Sequence, residues 1–180
     1  MDKTYVIGVC GPSGSGKTTV AKKIAERLGC RIFSADGYFK NELPKMISPD
    51  DGKEYDDWNN PASVDYDSLA ADVRYVIERD HPRYLIIEGV LIMTSGIIRD
   101  MLDATVYVGA SPETCIFRRI LRNTALFGMS VADVGEYYLR CARHREREYC
   151  LPVKETADFI IDNDVSFESD LEKVLSAISE

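Results

Sequence analysis

The sequence predicts an α/β fold in which a five-stranded parallel sheet is flanked by helices. Short runs of apolar, β-forming residues recur along the chain, and segments with apolar residues at helical spacing lie between them. This alternation is typical of a parallel sheet whose two faces are both buried by helices. The chain has 180 residues, of which 45% are hydrophobic, enough for one well-packed domain. We therefore expect residues 1–180 to form a single domain.

The first predicted strand, Tyr5–Cys10, is the run YVIGVC, whose residues favour a buried strand. Four further runs of similar character lie at 31–34, 84–87, 104–108 and 159–161. Ligands of parallel sheets bind at the carboxyl ends of the strands. The residues at three of these ends should therefore meet in one crevice: Cys10, Ala35, Asp36, Glu88 and Gly89.

Helical spacing predicts helices at 16–28, 63–80, 111–124, 130–149 and 167–178. Gly29 has the position of a C-cap for the first helix, and Ser63 is the predicted N-cap of the second. Residues 136–149 mix charges of both signs closely, so we interpret that helix as solvated and without a chemical role.

Residues 40–62 have the composition of a loop, with three prolines, a glycine and several aspartates, and with room for one short helix. A long loop inside a compact domain is usually functional. We therefore expect residues 37–62 to form a functional insert.

The charge and the cysteines exclude several classes of protein. The 22 basic and 30 acidic residues give a net charge of −8, which disfavours nucleic-acid binding. Five cysteines without a CxxC pair, and only His81 and His144, predict reduced thiols in a cytoplasmic protein without a zinc site. No apolar run approaches the roughly 18 residues of a membrane span, and the start of the chain does not resemble a secretion signal.

Residues 11–18, GPSGSGKT, match the pattern G-x-x-x-x-G-K-[ST] between a predicted strand and a predicted helix. In such a P-loop, glycines let backbone N–H groups surround phosphate oxygens, and the helix N-terminus adds positive potential. Lys17 is expected to reach the β- and γ-phosphates, and the Thr18 hydroxyl to ligate Mg²⁺. The residues predicted to bind the nucleotide are Gly11, Ser13, Gly14, Ser15, Gly16, Lys17, Thr18, Thr19 and Arg119.

Two acidic residues follow predicted strands on the same edge of the sheet. Asp36, in SADGYFK, can accept the proton of an attacking hydroxyl, or it is an ordinary turn aspartate. Glu88, in IIEG, stands where P-loop proteins place an acidic residue near Mg²⁺ or its water shell, or it has only a capping or solvent role.

The segment FRRILRN, residues 117–123, carries three arginines at helical spacing. Arg118 and Arg122 are four residues apart and share one face, where they can stabilise the charge of a transferring phosphoryl group. The alternative is a solvated basic face.

Six blocks in order carry a resemblance over nearly the whole chain: GPSGSGKTTVA, SADGYFK, WNNPASVDYDSL, IIEGVL, FRRILRN and YCLPVKETADFII. Together they resemble the uridine kinase and phosphoribulokinase family of P-loop kinases. The resemblance implies a P-loop NTPase fold of the nucleoside-kinase type, with a mobile lid at about 115–130, and transfer of the γ-phosphate of ATP to a primary hydroxyl. It implies ATP and Mg²⁺ as cofactors, a catalytic role for Asp36, a magnesium-linked role for Glu88, and lid roles for Arg118, Arg119 and Arg122.

Two departures from the family pattern leave the acceptor open. Uridine kinases usually continue the lid with an aspartate and two arginines where this sequence has Asn123, Phe127 and Met129. The segment EYDDW, residues 54–58, looks more like nicotinamide riboside kinases, in which such an aspartate holds the ribose hydroxyls and the tyrosine covers the base. That likeness extends the expected roles to Asp56 and Tyr55.

The leading hypothesis is a nucleoside 5′-kinase acting on uridine or cytidine, with residues 37–62 as the acceptor-binding insert. The expected substrate contacts are Asp36, Tyr38, Tyr55, Asp56 and Glu88, and the expected catalytic residues are Lys17, Asp36, Arg118 and Arg122. A nicotinamide riboside kinase or another small-alcohol kinase is the first alternative. A simple ATPase or nucleotide-binding regulatory module is the second, and the oligomeric state and the choice between ATP and GTP stay open.

Overall fold

A computed structural model describes residues 3–179. Seven strands lie in the described residues: β1 (Tyr5–Cys10), β2 (Arg31–Ser34), β3 (Lys45–Ile47), β4 (Glu54–Asp56), β5 (Tyr84–Glu88), β6 (Ala104–Gly109) and β7 (Phe159–Asp162). Five of them form one sheet in the order β2-β5-β1-β6-β7, and the four neighbouring pairs are all parallel. This is the sheet that the sequence predicts.

The described helices are α1 (Lys17–Leu28), α2 (Tyr66–Asp80), α3 (Gly96–Arg99), α4 (Pro112–Phe127), α5 (Val131–Tyr137), α6 (Arg143–Arg145) and α7 (Glu168–Ser179). From α5 the chain stays helical to Cys150, through π-helical turns at Tyr138–Ala142 and Glu146–Cys150. We call residues 131–150 the bridging helix. In residues 3–179, no helix combines the length and the apolar character needed to cross a bilayer.

The core has two layers because side chains alternate along each strand. Ile7 and Val9 of β1 face one layer, where they pack with Ile24 of α1 and Val174 of α7. Val6 and Cys10 face the opposite layer, which α2 and the residues before β6 complete. The helices therefore cover both faces of the sheet, as strand–helix alternation predicts.

Residues 40–62 differ from the prediction of a loop with a short helix. They contain β3 and β4, an antiparallel hairpin that pairs Met46 with Tyr55. We call residues 45–56 the hairpin. Its strands have three residues each, too short to produce a recognisable alternation of apolar and polar positions.

The predicted N-cap of α2 is also wrong. Asp65 caps this helix, and its carboxylate accepts a hydrogen bond from the Ser68 N–H at 3.0 Å. Ser63 is buried two residues earlier, and its hydroxyl donates to the Asp57 carbonyl instead. Because this hydroxyl bonds to the preceding loop, it does not cap the first turn of α2.

Candidate active site

A cavity of about 740 Å³ lies beside the P-loop at the carboxyl edge of the sheet. It receives side chains from the P-loop, the turn after β2, the insert, α2, the turn after β5, α4 and α5. Its lining residues are Ser13, Lys17, Ala35, Asp36, Phe39, Trp58, Asn59, Val64, Tyr66, Val90, Leu91, Arg119, Arg122, Asn123, Phe127, Met129, Val134 and Tyr137. Apart from Phe127, which shares α4 with Arg119 and Arg122, the aromatic groups of this set come from other elements than the charged groups, so the cavity is built by tertiary packing.

The P-loop has the backbone of a phosphate cradle. Gly14 and Gly16 have φ angles of 91° and 94°, a left-handed conformation that glycine adopts without steric cost. A Cβ at Gly14 would lie 2.2 Å from the Cys115 carbonyl oxygen. The loop therefore packs against α4 so closely that only glycine fits there.

Lys17 supports the fit of an anion to this cradle. Its side chain lines the cavity although the residue is only 5% exposed. Within residues 3–179 it forms no ion pair with a carboxylate. A buried ammonium that takes part in no ion pair is suited to an anionic partner, and a nucleotide phosphate supplies one.

Thr18 and Glu88 meet as the sequence predicts. The Thr18 hydroxyl donates to a Glu88 carboxylate oxygen at 3.2 Å, and Ser34 donates to the other oxygen at 2.6 Å. In the described part of the chain, no group of three or more His, Cys, Asp or Glu side chains could hold a metal by itself. An oxygen-only pair still suits Mg²⁺, which is usually held by one or two protein groups together with water and phosphates.

Asp36 lies in the 3₁₀ turn Ala35–Tyr38, directly after β2, and its side chain faces the cavity. No side-chain hydrogen bond within residues 3–179 involves its carboxylate, which therefore stays free to accept a proton from a ligand. Thr19 follows Thr18 in the first turn of α1 and is exposed.

The lid arginines are arranged differently from the expected pairing of Arg118 with Arg122. Arg119 and Arg122 line the cavity, whereas Arg118 lies outside its lining. Arg122 donates to the Ser13 hydroxyl at 3.3 Å. Burial, together with the nearby positive charge of Arg119, lowers the pKa of Arg122. Residues three apart are also neighbours on a helix, so sequence spacing alone does not select one pair.

Aromatic and amide side chains form the other half of the cavity. Phe39 and Trp58 pack edge to face with ring centroids 5.1 Å apart. Tyr66 donates to the Leu91 carbonyl at 2.8 Å, and burial raises the pKa of its hydroxyl to about 12. Asn59 is only 6% exposed, and its amide forms no hydrogen bond with the other described residues. Its donors and acceptor are therefore free for a ligand.

Four of the five predicted substrate contacts do not line this cavity. Glu88 accepts hydrogen bonds from Thr18 and Ser34, and the other three have partners elsewhere. Tyr38 donates to Asp72 at 2.8 Å on the outer side of α2. Tyr55 donates to Asp51 at 2.9 Å within the hairpin. Asp56 forms an ion pair with Lys45 across the same hairpin. The structure therefore does not bring together the residues on which the nicotinamide riboside alternative depends.

Sequence reasoning missed the residues that build the neutral half of the cavity. Trp58 is the only tryptophan in the chain and lies in a long loop, a signal that could have been used. Tyr66 and Tyr137 carry no such signal, because an aromatic residue on a helix usually belongs to the core. Asn163 was also missed: its amide donates to the Ser15 carbonyl at 2.7 Å and fixes the P-loop.

A family model described as an AAA domain matches residues 10–126, more than half of the chain. The chain belongs to this family of P-loop proteins. The uridine kinase of Staphylococcus carnosus strain TM300 is 29% identical over 186 aligned positions, covering 89% of this chain and 88% of the relative. The uridine kinase of Staphylococcus aureus strain JH9 is 29% identical over 208 positions, covering 99% of both chains.

The crystal structure of an uncharacterized protein from Eubacterium ventriosum ATCC 27560 has the same fold. It covers 98% of this chain and 99% of its own, with a TM-score of 0.58 and 14% identity. The predicted P-loop fold is therefore confirmed, and so is the resemblance to uridine kinases. These likenesses support a nucleotide-binding P-loop kinase.

Proposed function

We propose that the chain is an ATP-dependent nucleoside kinase that transfers the γ-phosphate of ATP to the 5′-hydroxyl of a ribonucleoside, uridine or cytidine first. One observation carries the proposal: a single cavity joins the phosphate-facing side chains of Lys17, Arg119 and Arg122 to Asp36 and to an aromatic, uncharged half. A module that only holds or hydrolyses a nucleotide does not need an apolar chamber beside its phosphate site.

Asp36 accepts the proton of the acceptor hydroxyl while that oxygen forms a bond to the γ-phosphorus and the bond to the ADP oxygen breaks. Lys17 and Arg122, with Arg119, balance the charge on the transferring phosphoryl group. Arg118 stays a predicted contributor that would have to act from outside the cavity lining. Mg²⁺, held by Thr18 and by Glu88 directly or through water, would supply further positive charge at the phosphates.

The neutral half of the cavity favours a planar, uncharged ring on the acceptor. Trp58, Phe39 and Tyr137 present aromatic surface, and Asn59 presents an unpaired amide. Asn123, Phe127 and Met129, which depart from the usual lid residues, line the same cavity and add no charge to it. Aromatic faces stack on bases without selecting one of them strongly, so uridine and cytidine are both reasonable acceptors.

An acceptor panel tests this proposal. ADP release is measured with ATP and Mg²⁺ alone, and then with uridine, cytidine, nicotinamide riboside or adenosine, and the product mass is determined. We expect release that depends on uridine or cytidine and a product heavier by one phosphoryl group. Equal ADP release with and without every acceptor would favour a simple ATPase, and turnover of nicotinamide riboside alone would establish the alternative acceptor.

A further inference from the structure

The bridging helix contacts both halves of the cavity. Tyr137, near its start, accepts a hydrogen bond from the Trp58 N–H at 3.3 Å and lies beneath Arg119, whose guanidinium carbon is 5.4 Å from the ring centroid. Two turns later, Arg145 and Glu146 face inward as well. A helix whose mixed charges indicate a solvated surface therefore carries polar side chains that contact Asp57, next to the lining residue Trp58, and Arg119, which lines the cavity.

Arg145 holds the loop that presents Trp58 and Asn59. Its Nε donates to a carboxylate oxygen of Asp57 at 2.7 Å, and Asp57 is fully buried. The same carboxylate accepts from the Asn60 amide at 3.3 Å. A buried carboxylate needs such partners, so Arg145 fixes Asp57 and, through the backbone, the next two residues that line the cavity.

Glu146 holds the phosphate-facing side of the lid. It is 6% exposed and Arg119 is 8% exposed, and the nearest atoms of their charged groups are 3.8 Å apart. Burial raises the pKa of Glu146, whereas Arg119, Lys17 and the Ser13 N–H each favour its charged form. The carboxylate therefore lies among the groups that are expected to meet the phosphates.

The Glu146–Arg119 pair leaves hydrogen-bonding capacity unused. Within the described residues, Nε and Nη1 of Arg119 and Oε1 of Glu146 are buried without a hydrogen-bond partner. Glu146 thus orients the Arg119 guanidinium without using all of its hydrogen-bond donors. The N–H groups that have no partner remain for a ligand oxygen. The π-helical turn begins at Glu146, and such turns occur frequently at functional sites.

We propose that Arg145 and Glu146 are positioning residues of this site: Arg145 sets the acceptor loop through Asp57, and Glu146 sets Arg119 for the transferring phosphoryl group. The inference rests on the proposed kinase function. It assigns separate effects to two adjacent residues, because one contacts the insert and the other contacts the lid.

The first test compares Arg145→Gln and Glu146→Gln with Arg147→Gln and Glu136→Gln, matched changes at exposed positions of the same helix. Misplacing a reacting group by about 1 Å can cost roughly 100-fold, so we expect at least about tenfold effects. Arg145→Gln should raise the acceptor KM and leave the KM for ATP within about twofold of wild type. Glu146→Gln should lower kcat and leave the acceptor KM within the same limit. The two control variants should match the wild type.

The second test needs no turnover. Trp58 is the only tryptophan, so acrylamide quenching of its fluorescence reports on the acceptor loop. Arg145→Gln should increase quenching, whereas Glu146→Gln should not. For Glu146→Gln, calorimetry with ADP and with a non-hydrolysable ATP analogue should show a smaller preference for the analogue, because Arg119 no longer faces the γ-phosphate.

Arg145→Lys and Glu146→Asp keep the charges and should restore part of each effect if the parent variants fold poorly. The proposal is overturned if both variants change the two KM values alike, or if only their melting temperatures move. A greater preference of Glu146→Gln for the analogue would also overturn it, because Glu146 would then act as a competing anion. If the wild type lacks acceptor-dependent turnover, the kinase function fails, and quenching and calorimetry still decide on the positioning roles.

Discussion

The contact between Gly16 and Asn163 is the feature of the P-loop that yields the sharpest prediction. A Cβ at Gly16 would lie 2.2 Å from the Asn163 amide nitrogen, and Gly16 has a φ angle of 94°. Gly16→Ala therefore imposes left-handed strain on an alanine and pushes away the amide that donates to the Ser15 carbonyl at 2.7 Å. Both effects act on the loop that is proposed to hold the phosphates.

The size of the effect follows from these two contacts. Left-handed backbone costs an alanine about 1–2 kcal/mol, and a lost hydrogen bond costs about 0.5–1.5 kcal/mol. We expect Gly16→Ala to destabilise the fold by roughly 1.5–3.5 kcal/mol, or about 3–14 °C in Tm for a chain of this size. Asn163→Ala alone should cost about 1 kcal/mol.

A double-mutant cycle measured by chemical denaturation tests the reasoning. Gly16→Ala and Asn163→Ala each remove the same hydrogen bond, so the double variant loses it only once. The double variant should therefore be about 0.5–1.5 kcal/mol more stable than the sum of the two single effects predicts. Gly29→Ala, with a φ angle of 63° and open space around the new Cβ, isolates the backbone strain. Gly37→Ala has neither feature and should be neutral. Additive effects of the Gly16 and Asn163 changes would refute the contact.

Three further predictions concern proton transfer, metal and pH. Asp36→Asn should lower kcat about 10²–10⁴-fold with little change in the KM for ATP, and a native rate would exclude Asp36 as the base. Glu88→Gln should move the Mg²⁺ midpoint of activity at least about tenfold higher; an unchanged midpoint would remove Glu88 from the metal site. Burial raises the pKa of Glu146 above its ordinary 4.5, so its contribution to stability is present below pH 4.5 and is lost as the pH rises through the raised value. The Tm of Glu146→Gln relative to wild type should therefore increase from about pH 4 to about pH 8, and a constant difference would contradict this.

The sequence predicts the central sheet and the phosphate cradle because both depend on local patterns. The apolar run Tyr5–Cys10 favours a buried strand, and the glycines of the P-loop allow positive φ angles. The structure has both features. The same holds for α1, whose buried face and Gly29 C-cap follow the helical spacing. Thr18 and Glu88 meet because strand ends converge at one edge of a parallel sheet.

The acceptor half could not be predicted in the same way, because tertiary contacts decide it. Tyr55 and Asp56 have suitable chemistry, yet their hairpin partners direct them away from the cavity. Glu146 lies in a run of charged residues of the kind found on a solvated helix. It is buried because the fold places it against Arg119 of another helix, which the sequence does not show. Charge patterns along one chain do not show which charges are paired across the fold.

The fate of the γ-phosphate distinguishes transfer to a nucleoside from hydrolysis by water. The enzyme is incubated with ATP labelled at the γ-position, Mg²⁺ and uridine or cytidine, and the label is followed by chromatography. For a nucleoside kinase, we expect the label to appear in a nucleoside 5′-monophosphate and little label to be released without the nucleoside. Label that accumulates as inorganic phosphate at the same rate with and without nucleoside would contradict this expectation.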